Sequence, residues 1–202
     1  MNKNILNKEV QAYINSNMNA DVNHIALAKP LFKNVSSAEL AGQIAAKKKS
    51  TYKLPTWFTT NEIYYPALLS IEQCSSEPTA AYKASLALGN TLIDLTSGFG
   101  VDSFFFSKKV NQVYSCEINE ELASITAHNA KILGANNIEV LATDGIEFLK
   151  STVQSFDTIY IDPARRSSSN KVFKLKDCTP DVTTHLDLFL TKAKRVIIKT
   201  AP

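Results

Sequence analysis

The sequence predicts an α/β fold: a parallel sheet flanked by helices, preceded by a helical appendage. From residue 91 onward, strand-like apolar runs alternate with helical stretches, the pattern of parallel strands joined by crossover helices. Residues 92–103 (Leu-Ile-Asp-Leu-Thr-Ser-Gly-Phe-Gly-Val-Asp-Ser) place a strand, a tight glycine loop and a helix in immediate succession. That unit is the ligand-binding corner of a doubly wound sheet. Before residue 90 the apolar spacing and the caps are helical.

The appendage reads as a series of short helices. Ile5 to Met18 carries Val10, Tyr13 and Ile14 at helical spacing, and Asp21 can cap a helix through Leu27. Ser36-Ser37-Ala38-Glu39 is a capping-box sequence opening a helix through Ala46. This helix runs into Lys47-Lys48-Lys49, charges that suit a helix C-terminus; a phosphate clamp is the other reading. Aromatic, proline-punctuated connectors follow at residues 52–58 and 63–66. Trp57, Tyr64 and Tyr65 suit a core between two regions, with a base-stacking platform as the alternative. Ser76 can cap a last helix with Pro78 in its first turn, running through Leu88 and stopped by Gly89. The chain thus divides into a helical region, 1–88, and a sheet domain, 89–202.

In the sheet domain the first strand ends at Asp94 and a helix from Val101 to Phe106 begins directly after the loop. Gly98 and Gly100 stand where a backbone must approach a ligand without a Cβ in the way. About 20 residues on, the apolar run 112–117 ends in Glu117, a spacing that suits a carboxylate accepting from two ribose hydroxyls. Residues 137–145 form a strand followed by Asp144, which can accept from an adenine amine. Residues 156–166 form a buried strand, an Asp162-Pro163 corner and the pair Arg165 and Arg166. These arginines can hold phosphates or brace the loop through salt bridges. Arg195 to Thr200 is the fifth strand. Each acid alone also fits a helix N-cap or a solvated turn; four at successive strand ends point to one site. Right-handed crossovers then give the strand order 3-2-1-4-5.

This order of glycine loop, acid after strand two, Asp after strand three and Asp-Pro after strand four resembles the class I S-adenosylmethionine-dependent methyltransferases. The resemblance covers roughly residues 88–202. Thr96 replaces the first glycine of the usual acid-x-Gly-x-Gly-x-Gly pattern. Such Asp-x-Thr-x-Gly-x-Gly loops resemble those of RNA and amino-group methyltransferases, including ribosomal RNA enzymes that methylate the guanine exocyclic amine. More narrowly, residues 72–83 (Glu-Gln-Cys-Ser-Ser-Glu-Pro-Thr-Ala-Ala-Tyr-Lys), the loop, and 161–166 (Ile-Asp-Pro-Ala-Arg-Arg) resemble a bacterial family of class I methyltransferases with a THUMP-like domain, over nearly the whole chain.

The resemblance implies a Rossmann-like fold with S-adenosylmethionine as cofactor. Asp94, Thr96, Gly98 and Gly100 would hold its methionine end, Glu117 and Ile118 the ribose side, and Asp144 and Gly145 the adenine. Ser75, Ser76 and Thr79 would cover it from the helix before the first strand. Asp162 and Pro163 lie where the target atom must arrive. Amino-group enzymes usually continue this corner with a second proline and an aromatic; here Ala164 and Arg165 stand there, and an arginine plane can stack on a base. Asp-Pro, a small residue and Arg also resemble the corner of uracil-5 RNA methyltransferases, where a cysteine attacks the base. Cys178 is the nearby candidate, although its place between strands four and five departs from that family, and a buried small hydrophobe is the other reading. Class I sheets usually have seven strands, the last two an antiparallel hairpin. The resemblance therefore implies a truncation before strands six and seven, with part of the substrate site on further chain.

Composition agrees. The 202 residues, 45% of them apolar, suffice for one α/β domain plus an appendage. No run approaches the ~18–20 apolar residues of a membrane span or forms a signal peptide, so a cytoplasmic protein without membrane contact is expected. Cys74, Cys116 and Cys178 are odd in number and lack metal-ligand spacing, which suits a reducing compartment and no metal. His24, His128 and His185 are isolated and read as structural or exposed. Residues 1–90 hold nine lysines against six acids, whereas 91–202 balance thirteen against thirteen. A basic appendage beside a methyl-transfer pocket suits RNA. Three rival classes stay open. A dinucleotide oxidoreductase fits poorly, because Val101-Asp102 follows Gly100 where that fingerprint spaces a third glycine. The others are a small-molecule methyltransferase and a non-catalytic RNA-binding or assembly module.

Overall fold

The computed structural model describes residues 1–164, 166–167, 170–171 and 174–200, with backbone alone for 166, 167, 170 and 171. A 3-10 turn (Lys3–Leu6) leads into α1 (Lys8–Ser16), α2 (Val22–Leu27), α3 (Ser37–Lys53), α4 (Pro55–Thr59), α5 (Leu68–Gln73) and α6 (Glu77–Ser85). The sheet domain then runs β1 (Thr91–Asp94), α7 (Val101–Ser107), β2 (Gln112–Cys116), α8 (Glu120–Ile132), β3 (Ile138–Leu141), α9 (Gly145–Ser151) and β4 (Phe156–Ile161). A short ladder of β5 (Arg166–Ser167) and β6 (Asn170–Lys171) precedes α10 (Leu186–Lys192) and β7 (Ala193–Ile198).

Five parallel strands form one sheet in the order β3-β2-β1-β4-β7, the expected 3-2-1-4-5. The antiparallel pair β5–β6 lies outside that sheet and is an addition to the expectation. Its residues carry no apolar alternation, the signal by which strands are read from sequence.

Three helix boundaries differ from expectation. Asn7 is extended (φ −61°, ψ 138°), so the first helix is split into the 3-10 turn and α1. The helix that opens on the Ser36–Glu39 capping box continues to Lys53 rather than ending at Ala46. Leu54 precedes Pro55, and the proline ring drives its neighbour out of the α region (φ −135°, ψ 62°). The proline, not the lysine run, ends the helix. Lys47 is buried inside α3, where its ammonium donates to Asn15 Oδ1 (2.6 Å) and lies 5.6 Å from the Phe58 ring centroid. Desolvation lowers its pKa, so Lys47 is neither a helix end nor a phosphate clamp. Ser76 sits at the N-cap of α6, which ends at Ser85 rather than Leu88. The Ser76 hydroxyl pairs with Thr79 Oγ1 (2.9 Å) instead of a backbone N–H.

The N-terminal helices and the loop and helices that follow β1 and β2 share one core. Ile5, Ile44, Trp57 and Tyr65 join Phe99, Val101, Phe104 and Ile125 in one buried cluster. Trp57 meets Phe104 edge-on at 5.0 Å. Two side-chain amides complete the seam by pairing with connector backbone as a strand would. Gln43 bonds the N–H and carbonyl of Tyr65 (2.9 and 2.6 Å), and Asn129 those of Tyr64 (3.0 and 2.9 Å). Trp57, Tyr64 and Tyr65 are therefore core. The β-strand alternation sends Ile93, Cys116 and Ile159 to a cluster with Phe189 of α10, and Leu92, Val113 and Tyr160 to one with Phe106 of α7. Among the described residues, no helix is long and apolar enough to cross a membrane, and no His, Cys, Asp and Glu side chains gather as metal ligands.

Candidate active site

Parallel pairing in register (Asp94 beside Ser115, Cys116 beside Leu141, Ile161 beside Ile198) brings every strand's carboxyl end to one edge. Asp94 is the last residue of β1, and Glu117, Asp144 and Asp162 follow the ends of β2, β3 and β4, where open α/β sheets bind ligands.

The glycine loop is built from beneath by Asp94, which is fully buried. Its Oδ1 accepts from the Thr96 N–H (3.0 Å) and its Oδ2 from the Ser103 hydroxyl (2.7 Å). Ser103, Ser115 and Ser97 continue the network at 3.0 and 2.6 Å. Burial pushes the Asp94 carboxyl up to about 7, against the pull of the Ser103 and Thr96 hydrogen bonds. With both oxygens engaged, Asp94 shapes the loop.

Glu117, just after β2, ties the loop to the end of that strand. Its Oε2 accepts from Gly98 N–H (2.9 Å) and its Oε1 from Asn119 N–H (2.8 Å). Each oxygen keeps a second lone pair, so the carboxylate can still accept from ligand hydroxyls. The Thr126 hydroxyl of α8 donates to the Gly98 carbonyl (2.9 Å).

The glycines serve different ends. Gly98 has φ 56° and a Cβ there would meet nothing within 4 Å, so its backbone borders open space. Gly100 has φ 77°, and a Cβ would strike Thr126 Cγ2 at 2.4 Å. A Cβ on Gly145 would fall 2.4 Å from the Leu95 carbonyl oxygen, because the start of α9 packs directly on the end of β1. Gly100 and Gly145 thus carry packing constraints, and only Gly98 faces outward. Asp144 caps α9 through Oδ1, accepting from Ile146 and Glu147 N–H (2.8 and 3.1 Å). Its Oδ2 has no partner among the described residues. Ile118, two residues after β2, is 71% exposed.

Thr96, at the position of the missing glycine, ties the loop to the fourth strand's corner. Its hydroxyl accepts from the Asp162 N–H at 2.7 Å. Asp162 Oδ2 is paired with Lys199 Nζ at 2.5 Å, and Pro163 is buried. An antiparallel bridge between Ala164 and Thr179 (2.8 and 3.0 Å) folds the segment around Cys178 against this corner. The Cys178 thiol is buried and donates to the Lys174 carbonyl (3.4 Å), a packing role. Arg165 and the side chain of Arg166 lie outside the described residues.

Sequence reasoning misses a buried polar network beneath the loop. Lys83 Nζ of α6 donates to Asp102 Oδ2 (2.6 Å), Ser75 Oγ (2.7 Å) and Tyr160 OH (2.7 Å). Ser75 and Tyr160 also donate to Asp102 Oδ2, both at 2.9 Å, while Asp102 Oδ1 is buried without a partner. Burial, then the Asp102 charge, raises the Tyr160 pKa. The only local signal for this network is a lysine and an aspartate on otherwise inward-facing helix positions.

The family described as RNA cap guanine-N2 methyltransferase matches residues 89–197. The 23S rRNA (uracil(747)-C(5))-methyltransferase of Pyrococcus abyssi is 28% identical over 111 residues, 55% of this chain and 23% of that protein. An uncharacterised S-adenosylmethionine-dependent methyltransferase of Mycobacterium tuberculosis is 24% identical over 146 residues, 72% of this chain and 37% of that one. A crystal structure from Porphyromonas gingivalis, described as a methyltransferase, superposes with a TM-score of 0.80 at 29% identity, covering 97% of this chain and 48% of the other. The chain thus spans 23% and 37% of these curated relatives and about half of the solved one.

Proposed function

The chain belongs to the methyltransferase family described as RNA cap guanine-N2 methyltransferase, and from that premise we propose that it methylates a base amine of RNA, with S-adenosylmethionine as donor. The observation that carries the reading is the single sheet edge on which the glycine loop, Glu117, Asp144 and Asp162 meet. The acid-rich edge suits a cofactor bearing a sulfonium and an ammonium, since opposite charge is favoured there. Gly98 leaves room for close approach, Glu117 offers spare lone pairs to ribose hydroxyls, and Asp144 Oδ2 is available to an adenine amine. Ile118 presents an apolar surface to a flat ring.

When bound, the cofactor supplies an activated methyl group, so the protein's task is alignment and exclusion of competing geometries. Asp162 does this at the target: its Oδ1 accepts a hydrogen bond from the amine and turns the nitrogen lone pair toward the methyl carbon, and the proton that the amine loses on methylation passes to solvent. The description of the family as guanine-N2 enzymes supports an amine target, as does the Asp-x-Thr-x-Gly-x-Gly loop. A uracil-C5 reaction has less support, because the Cys178 thiol is buried. The narrower likeness to methyltransferases with a THUMP-like domain, and a cytoplasmic location in which the three free cysteines stay reduced, belong to the same proposal.

Methyl transfer from labelled S-adenosylmethionine to unmodified transfer and ribosomal RNA, transcribed in vitro, tests it. Asp162→Ala is expected to cut kcat by a factor on the order of 100 while S-adenosylhomocysteine affinity changes little. Loss of cofactor affinity without a separate catalytic defect would make Asp162 a cofactor ligand and end the amine reading.

A further inference from the structure

We infer that Lys199 is a positioning residue that fixes the carboxylate of Asp162, an inference resting on the reading of Asp162 as acceptor for the target amine. The register of the sheet makes the pair. Ile198, the last residue of β7, lies beside Ile161, and the Lys199 N–H donates to the Ile161 carbonyl at 2.9 Å. The next residue of each strand's path is then Asp162 on one and Lys199 on the other, and their side chains meet at 2.5 Å. Both are only about 30% exposed (30% and 29%), so the pair is better shielded from solvent than a surface ion pair.

A carboxylate needs such a partner here. The torsion that turns its plane has a broad, shallow profile, so the strand and the Thr96–Asp162 backbone bond fix where the carboxyl carbon sits but not where its oxygens point. Lys199 occupies Oδ2 and so sets the direction of Oδ1, which has no partner among the described residues. Lysine suits this role better than arginine. An ammonium is a single point donor, whereas a guanidinium fork tends to engage both oxygens and would cover the one that must receive the target. Among the described residues, the other charged groups around the corner leave Oδ2 to Lys199: Lys83 and Asp102 are bonded to one another, and Asp94 to Thr96 and Ser103.

The test is a double-mutant cycle with steady-state methyl transfer to the in vitro-transcribed RNA and titration of S-adenosylhomocysteine. Lys199→Met is expected to lower kcat about tenfold, with the RNA KM and cofactor Kd each within about twofold, because the lost contact acts on orientation. In the Asp162→Ala background, Lys199→Met should then slow the reaction less than twofold further, because its target is already gone. Lys199→Gln, which keeps one donor, should fall between wild type and Met; thermal unfolding of each variant separates a folding defect from a catalytic one. A further tenfold loss in the Asp162→Ala background overturns the inference, as does a salt-dependent rise in RNA KM at unchanged kcat, which marks a direct phosphate contact. If Asp162→Ala is as fast as wild type, or wild type methylates no RNA, the proposed function fails and the role of Lys199 with it. If Asp162→Ala is slow and Lys199→Met is not, only the role of Lys199 falls.

Discussion

The two loop glycines give a sharp prediction, because a single methyl group added at each meets opposite surroundings. Both have positive φ (56° at Gly98, 77° at Gly100), so alanine at either position carries the left-handed strain of an L-residue, about 1–2 kcal/mol. At Gly98 the new Cβ projects into open space and the strain is the whole stability cost. At Gly100 it lands 2.4 Å from Thr126 Cγ2, adding an overpacking cost of about 1–3 kcal/mol. Thr126 cannot simply retreat, because its hydroxyl holds the Gly98 carbonyl at 2.9 Å. Gly100→Ala is therefore expected to lose about 2–5 kcal/mol in urea unfolding and Gly98→Ala about 1–2 kcal/mol. Cofactor affinity should follow the reverse order per unit of stability lost, with Gly98→Ala the more damaging in calorimetric titration of S-adenosylhomocysteine. Thr126→Ser removes only the offending methyl, so in the Gly100→Ala background it should recover the overpacking part. Gly100→Ala within about 0.5 kcal/mol of wild type, or no relief from Thr126→Ser, would refute the packing argument.

Other perturbations probe the rest of the site. Glu117→Ala leaves the Gly98 and Asn119 N–H groups without their acceptor and should weaken S-adenosylhomocysteine binding by about 1–3 kcal/mol; unchanged affinity in titration removes Glu117 from the site. Lys83→Met strands the buried Asp102 carboxylate and should cost about 3–5 kcal/mol in denaturant unfolding, whereas a loss below about 1 kcal/mol would mean that water reaches the network. The Asp94 carboxyl rises from 3.8 to about 7 on folding, so the folded state binds the extra proton between those values. Its stabilising contribution is present below about pH 4 and is lost as pH rises through 7. Asp94→Asn, which cannot ionise, should flatten the pH dependence of the unfolding midpoint in that window, and an unchanged slope would assign the dependence to other groups.

The elements and their order were legible in the sequence because the signals behind them are local. The Ser36–Glu39 capping box, the Asp21 cap and the turn at Gly98 and Gly100 involve groups two or three residues apart, so sequence spacing is spatial spacing. Strand order also followed, because short right-handed crossovers leave few ways to arrange five parallel strands once the first is identified. The same rules brought the acids at the ends of β1 to β4 to one edge. Tertiary structure alone decided what each side chain does there. Thr96 reaches Asp162 across 66 residues, Lys199 reaches it across 37, and Lys83 meets Tyr160 across 77. At Gly100 and Gly145 the need for glycine has a packing cause that spacing alone does not show, because Thr126 and Leu95 occupy the space that a Cβ would take. Lys47 looked like an exposed helix end until Asn15 and Phe58 closed over it. Local patterns constrain backbone dihedrals and caps, whereas these contacts depend on which helix packs over which strand end, and that is set by burial across the whole chain.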